Sequence, residues 1–258
     1  MLDVVDEIKL KLRSNTKLKL HLSSSDSSAE NMEEVYEAGK KAENNEFWDN
    51  YLGDMETCYE MFCSTGWSVT TFKPNKVIRP IGNAEYMFSC FCEYGEAFDM
   101  VEHLEKLGSG LDTSQVEEPD YMFSYANILR LGVLDFSSAT NLDSTFRYST
   151  IEIIDELIMN EDIRCSYTFG DCSELRHMVV SGTIGQRGFD VSACTLLDKE
   201  SIASIIDALS TTKVASVTLS ETAVNNAFET SQSAADGVES IEWATLIATK
   251  PNWTISLK

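Results

Sequence analysis

The chain has 258 residues, 43% of them apolar, 24% charged and 10% aromatic, the proportions of a folded globular protein and not of a disordered or collagen-like one. Twenty basic against 42 acidic residues leave a net charge of −22, which repels phosphate backbones and anionic lipid, so nucleic-acid binding is the first function to drop. No window of about 18 apolar residues is available to span a bilayer, and membrane insertion drops with it.

The chain opens Met1-Leu2-Asp3-Val4-Val5-Asp6-Glu7, with acids where a secretory signal carries a basic segment and an apolar run. The expectation is a chain without a signal peptide, cytoplasmic as synthesised. Seven cysteines, an odd number, are then expected as buried, reduced thiols and not as a disulfide framework. Residues 1–22 alternate through Ile8-Lys9-Leu10-Lys11-Leu12 and Leu18-Lys19-Leu20-His21-Leu22 and carry a net charge of +2. With Ser23-Ser24-Ser25-Asp26-Ser27-Ser28 as a hinge, residues 1–28 read as a separate basic arm. Ser27 and Glu30 have capping-box spacing. Met32, Val35, Tyr36, Gly39 and Ala42, then Phe47, Trp48, Tyr51 and Leu52, predict a helix over 29–52 in an N-terminal segment that runs to 57. Eleven acids and two lysines over 23–60 read as its solvated face.

From residue 58 the pattern changes to short blocks with a phenylalanine at their end: Tyr59-Glu60-Met61-Phe62, Tyr86-Met87-Phe88, Tyr121-Met122-Phe123, Ser144-Thr145-Phe146 and Tyr167-Thr168-Phe169. The phenylalanines are separated by 26, 35, 23 and 23 residues, a 23-residue period with insertions of three and twelve, within the range that signals a repeat architecture. After each block comes an apolar pair three residues apart, Ile128 and Leu131, Ile151 and Ile154, Leu175 and Met178, taken as the strand of each repeat. Ahead of two blocks lie Asp112 with Ser114 and Asp135 with Ser137. A unit this short cannot bury its own apolar face, so it must stack on its neighbours. Phe62, Phe88, Phe123, Phe146 and Phe169 are therefore expected as one buried aromatic spine. The small polar residues after them, Ser89-Cys90, Ser124, Ser149 and Cys172-Ser173, are expected to satisfy turn amides. The long insertion carries a helix over 96–107, stopped by Gly108.

The C-terminal part alternates differently. Asp198 is placed to cap a helix carrying Ile202, Ile205, Ile206 and Leu209, and Val214–Leu219 alternates as a strand. A second helix near 238–249 stops before Pro251, and Trp253–Leu257 reads as a last strand. This α/β cap over 196–258 would close the open end of the stack.

No arrangement of side chains points to catalysis, a metal or a cofactor. Cys90-Phe91-Cys92 with His103 lacks zinc-site spacing and a fourth ligand, so Cys90 is read as a turn residue and Cys92 as a buried thiol. The glycines of Gly182-Thr183-Ile184-Gly185-Gln186-Arg187-Gly188 are misplaced for a dinucleotide fingerprint and read as turns between rungs. His21, His103 and His177 have no context for a nucleophilic triad. Asn252-Trp253-Thr254 is a glycosylation sequon in form only. Ten acids against one lysine over 85–120 read as solvated loops and strand edges, the functional alternative being a negative patch for a cationic partner or Ca²⁺; no D-x-D-x-D-G loop is present, which sets calcium below the solvated reading.

Tyr167-Thr168-Phe169-Gly170-Asp171-Cys172-Ser173-Glu174-Leu175 resembles the T-F-x-x-C-x-x-L block of BspA-like leucine-rich repeats. The blocks around Phe146 and Phe123 keep the phenylalanine and the apolar spacing, with Ser149 and Ala126 in the cysteine position, and the block around Phe62 is degenerate. Val35–Glu43 with Phe47-Trp48-Asp49, and Thr218-Leu219-Ser220 with Lys250–Thr254, resemble proteins of gut Firmicutes and their prophages. The resemblance covers roughly 30–258 and implies an α/β repeat solenoid, a right-handed leucine-rich-repeat coil of stacked parallel strands over 58–195. It also implies a non-enzymatic recognition or adhesion protein for a protein or glycan partner, surface- or virion-associated, with the basic arm as an attachment or self-association segment. If the strands follow L-x-x-L-x-L, the outward positions include Arg130, Asp155 and His177, the candidate partner contacts. The alternatives are a structural component of a phage-tail or surface assembly, and a carboxylate-dependent carbohydrate hydrolase.

Overall fold

The computed structural model describes residues 55–258 except 64–66, 68–69, 93–95, 187 and 231–239. The basic arm at 1–28 and the helix expected over 29–52 lie outside the described residues. Four parallel sheets organise the rest. One runs β1 (Met55–Thr57), β3 (Pro80–Asn83), β6 (Gln115–Glu118), and a two-stranded one joins β2 (Val77–Ile78) to β5 (Gly110–Leu111). The largest runs β4 (Phe98–Asp99), β7 (Ile128–Asp135), β8 (Ile153–Met159), β9 (His177–Gly182). The last runs β10 (Phe189–Val191), β11 (Ala215–Leu219), β12 (Trp253–Leu257). Parallel neighbours need a long return between them, and here Arg130 pairs with Ile153 and Ile153 with His177. Leu131, Ile154 and Met178 stand side by side in that register and are buried.

Two expected boundaries move. Residues 55–57, expected in a helical segment, are a strand hydrogen-bonded to β3. Ile151 and Leu175, expected to open their strands, are buried just ahead of β8 and β9, which begin at Ile153 and His177. The chain is still leaving its turn there, with Thr150 N bonded to Ala126 O at 3.0 Å. β7 and β8 of the large sheet, and β5 of the two-stranded one, then end in a local side-chain turn. Oδ1 of Asp135 accepts from Ser137 N at 2.9 Å and Oδ1 of Asn160 from Asp162 N at 2.9 Å, as Oδ1 of Asp112 does from Ser114 N at 3.1 Å.

The blocks around Phe62, Phe88, Phe123, Phe146 and Phe169 form a column. All five rings are fully buried. Successive centroids lie 5.2, 5.4, 5.7 and 5.2 Å apart at interplanar angles of 26°, 1°, 5° and 12°. The backbone explains the regularity, because alternate amides serve the block and the stack. The N–H groups of Tyr121, Phe123 and Tyr125 donate to Asp143 O, Thr145 O and Arg147 O of the next block at 3.1, 2.8 and 2.9 Å. Those of Met122, Ser124 and Ala126 donate to the carbonyl three residues back. The blocks of Phe88 and Phe146 repeat the alternation, so the polar backbone is paired while the rings stay dry.

This geometry places left-handed residues two positions either side of each ring: Tyr121 and Tyr125 (φ 54 and 55), Ser144 and Tyr148 (56 and 59), Tyr167 and Asp171 (55 and 59). A side chain there costs roughly 1 kcal/mol or more, which the inter-block hydrogen bonds offset. With the turn amides already bonded to carbonyls, the small polar side chains do not satisfy them as expected and bond along the column. Ser89 Oγ and Ser124 Oγ lie 3.0 Å apart, Cys172 Sγ donates to Phe146 O at 2.8 Å, and Thr168 Oγ1 to Leu142 O at 2.8 Å.

Helices flank the large sheet. The insertion expected as a helix over 96–107 divides, Phe98–Asp99 pairing with β7 before α1 (Met100–Lys106) begins with Asp99 as N-cap. At the other edge α2 (Lys199–Ala208), capped by Asp198 as its sequence predicts, takes the place of a further strand. Ser201 Oγ and Ser204 Oγ accept from Met178 N and Val180 N of β9 at 2.9 and 3.0 Å, which closes the edge amides against further pairing. α3 (Glu221–Phe228) has no counterpart in the sequence pattern, whereas α4 (Ile241–Ala248) and β12 fall where the pattern places them. The sheet β10-β11-β12 crosses the expected division at 195 and 196. Among the described residues no helix is long and apolar enough to cross a membrane.

Candidate functional site

The three residues expected on the outward face of the large sheet are there, Arg130 and His177 engaged with carboxylates and Asp155 with the Arg130 guanidinium. Arg130 of β7 holds Asp155 of β8 in a two-pronged pair, Nε to Oδ1 at 2.8 Å and Nη2 to Oδ2 at 2.9 Å, with Nη1 4.0 Å from Asp99. A bulge in β8 sets Asp155 and Glu156 against Val179 alone, keeping both side chains off the core. His177 is not joined to that pair: its Nδ1 lies 2.7 Å from Asp198 Oδ2. Burial pushes the Asp198 carboxyl up, but the Ser201 hydroxyl and the His177 ring hold it below the ordinary carboxylate range. Asp99 and Asp198 are the N-caps of α1 and α2, so the polar side chains Asp99, Arg130, Asp155, His177 and Asp198 span the sheet from one flanking helix to the other.

The outer side of the Phe column carries a second set of aromatic rings, of which the sequence pattern names Tyr86, Tyr121 and Tyr167 as block residues and misses Tyr125 and Tyr148. The tyrosines two positions from a phenylalanine, Tyr86, Tyr121, Tyr125, Tyr148 and Tyr167, point away from the core, while Ser144 in the same place beside Phe146 is buried. Tyr86 and Tyr121 stack at 4.8 Å and 9°, Tyr125 and Tyr148 at 4.8 Å and 26°. The Arg147 guanidinium sits 4.7 Å from the Tyr148 ring centre and 5.2 Å from that of Tyr167, a cation–π bridge between units. Tyr125, Tyr148 and Tyr167 are 50%, 39% and 69% exposed. Tyr125 and Tyr148 stand 23 residues apart, as Phe123 and Phe146 do, and that spacing was the signal available.

One position before Tyr86, Tyr121 and Ser144 the stack brings the carboxylates Glu85, Asp120 and Asp143 together. Oδ1 of Asp120 accepts from Asp143 N at 3.1 Å, and Oδ1 of Asp143 from Ser166 N at 3.0 Å. Burial, and then the neighbouring Asp143 charge, push Asp120 up to about 6. Glu85 is also raised, by burial first and then by Asp120 and Glu118. A carboxyl whose folded pKa exceeds its unfolded value destabilises the fold once it ionises, so its penalty is absent below about pH 4 and complete above about pH 6. Asp120→Asn keeps the acceptor and removes the charge. The variant should gain about 1 kcal/mol at pH 7.5, discounted for a half-exposed group, and nothing at pH 4. Thermal unfolding at the two pH values measures this, and an equal change at both would refute it.

The five buried thiols, Cys58, Cys92, Cys165, Cys172 and Cys194, are not activated. Burial pushes Cys58, Cys92 and Cys165 up to about 12 and Cys172 to about 11, far from a nucleophile's range. Cys92 Sγ donates to Trp67 O at 2.7 Å, and His103 Nε2 lies 2.5 Å from Phe72 O. Among the described residues no group of three His, Cys, Asp or Glu side chains is placed to hold a metal ion.

Where the last block meets the C-terminal sheet, a cleft of about 590 Å³ opens between Tyr167, Gly170 and Asp171 on one side and Asp190, Ser216 and Thr218 on the other. None of its lining belongs to the large sheet. Compared with protein families, curated proteins and solved structures, the chain matches none.

Proposed function

We propose that the repeated units constitute a leucine-rich-repeat solenoid of the BspA-like kind and that the chain is a non-enzymatic recognition protein. It would present the outward face of the sheet β4-β7-β8-β9 to a protein or glycan partner. The observation that carries this reading is the polar row across that face. Its groups are held in fixed positions by pairing with one another, on a sheet whose two edges are taken by helices. Exposed ion pairs of this kind add little to stability, typically about 0–1 kcal/mol, and pre-ordered charges are what specificity and orientation in a complex require.

A photo-crosslinking side chain at Val133, which is 50% exposed on β7, tests the reading in cells producing the full chain. Val133 should capture a partner, and Arg130→Gln, which removes the charge without setting a third carboxylate beside Asp99 and Asp155, should abolish the capture at a stability cost of no more than about 1 kcal/mol. A second reading, a structural part of a larger assembly, is favoured by Ile241 on α4, 79% exposed. Capture from position 241 and none from 133 would replace the first reading by the second.

A further inference from the structure

The column of turn blocks stops at Phe169, and its end is open. In earlier blocks the amides at the ring and two residues either side donate to the next block, as Ser144, Phe146 and Tyr148 do to Ser166 O, Thr168 O and Gly170 O at 2.8, 3.0 and 2.9 Å. The equivalent amides of Tyr167, Phe169 and Asp171 have no acceptor among the described residues. The chain that would supply one turns aside: Phe189 meets Phe169 edge-on, at 5.7 Å and 61°, and pairs with Val217 in the C-terminal sheet. The cleft lies between this last block and that sheet.

We infer that the cleft is a binding site for a neutral oligosaccharide. The proposal goes beyond the recognition face and does not rest on it. Three backbone donors in a row supply one half of the chemistry. A row of amides by itself favours an anion, but Asp171 and Asp190 stand in the same walls, the lining cation Lys258 has its Nζ 3.9 Å from Asp190 Oδ2 and so leaves the walls one negative charge in excess, and the chain carries −22. An anion is repelled. The carboxylates and the hydroxyls of Ser216 and Thr218 call for a ligand as rich in donors as in acceptors, and a sugar hydroxyl is both in one group. Tyr167, 69% exposed at the rim, supplies the aromatic surface on which the C–H face of a sugar ring packs. The volume lies within the range of small-molecule sites.

Calorimetric titration of the full chain tests this with neutral tetrasaccharides of glucose, N-acetylglucosamine, xylose and mannose, and with oligogalacturonate as the anionic control. At least one neutral sugar should bind with a millimolar or tighter Kd, and oligogalacturonate should not. Tyr167→Ala should weaken that binding about tenfold with an unchanged melting temperature. Tyr167→Phe should retain it. Absence of binding by every neutral sugar, binding of oligogalacturonate in their place, or binding that survives Tyr167→Ala would each overturn the proposal.

Discussion

Phe146→Ala should cost about 3–5 kcal/mol of stability, toward the upper end for a buried phenylalanine. The size follows from what can relax. Phe146 lies between the parallel rings of Phe123, at 5.7 Å, and Phe169, at 5.2 Å. Removing it leaves a slot with a flat wall on each side. Collapse of the slot would have to shorten the distance between blocks, which the backbone fixes through Phe123 N to Thr145 O at 2.8 Å and Phe146 N to Thr168 O at 3.0 Å. The cavity therefore persists, and the cavity contribution adds to the lost burial. Phe146→Leu, which keeps much of the volume, should lose about 1–1.5 kcal/mol. Urea unfolding of the two variants measures both values. A double-mutant cycle with Phe123→Ala should show a coupling of about 0.5–1.5 kcal/mol, because the two rings share one contact face. A loss for Phe146→Ala below about 1 kcal/mol would mean that the rings do not share a common interior.

The ring column was legible because one residue type carries it at a period that two of its four spacings keep unbroken. Asp198 was legible as a cap because the signal is local: an aspartate directly before a helical apolar pattern. What escaped the sequence is what depends on residues one unit away. Arg130 and His177 read as outward, but their partners lie 25 and 21 residues off in sequence, and only the register brings Asp155 and Asp198 to them. Tyr121, Tyr125 and Tyr148 adopt left-handed backbone without the glycine or asparagine that announces it, since bonds to the neighbouring block impose it. Ser124 and Ser149 looked like turn residues because their stack partners, Ser89 and Cys172, are invisible in a local window. β2, β4 and β5 have two residues each, too few for a period-2 pattern to register. α3 shows the complementary failure: eight residues with Ala223, Val224 and Phe228 buried make a weak apolar stripe. For the candidate cleft, Tyr167 was in view as a block residue, but the open amides beside it follow from the departure of β10, which no local pattern encodes.

Four glycine-to-alanine substitutions separate the two reasons for which a glycine is needed, and Gly182→Ala should be the most damaging. Gly182 has φ +77, and a Cβ there would fall inside contact distance of Met159 O, the residue it pairs with on β8. Backbone conformation and lack of space therefore act together. Gly108 has φ +68 with nothing within 4 Å of its Cβ position, and Gly110 has neither a positive φ nor a neighbour within 4 Å. At Gly185 the φ is ordinary, but a Cβ would strike Glu161 O and Cγ. Gly110→Ala should then be neutral or stabilising by about 0.4–1 kcal/mol, through the unfolded chain, and Gly108→Ala should lose about 1–2 kcal/mol from φ alone. Gly185→Ala should lose about 2 kcal/mol from the collision with backbone, and Gly182→Ala about 3–4 kcal/mol or more. The ordering, read from urea midpoints, is the informative quantity. Equal losses for Gly182→Ala and Gly108→Ala would mean that β8 and β9 do not approach as closely as Met159 and Gly182 require. Gly182 would then be needed for its backbone conformation alone, as a turn between rungs.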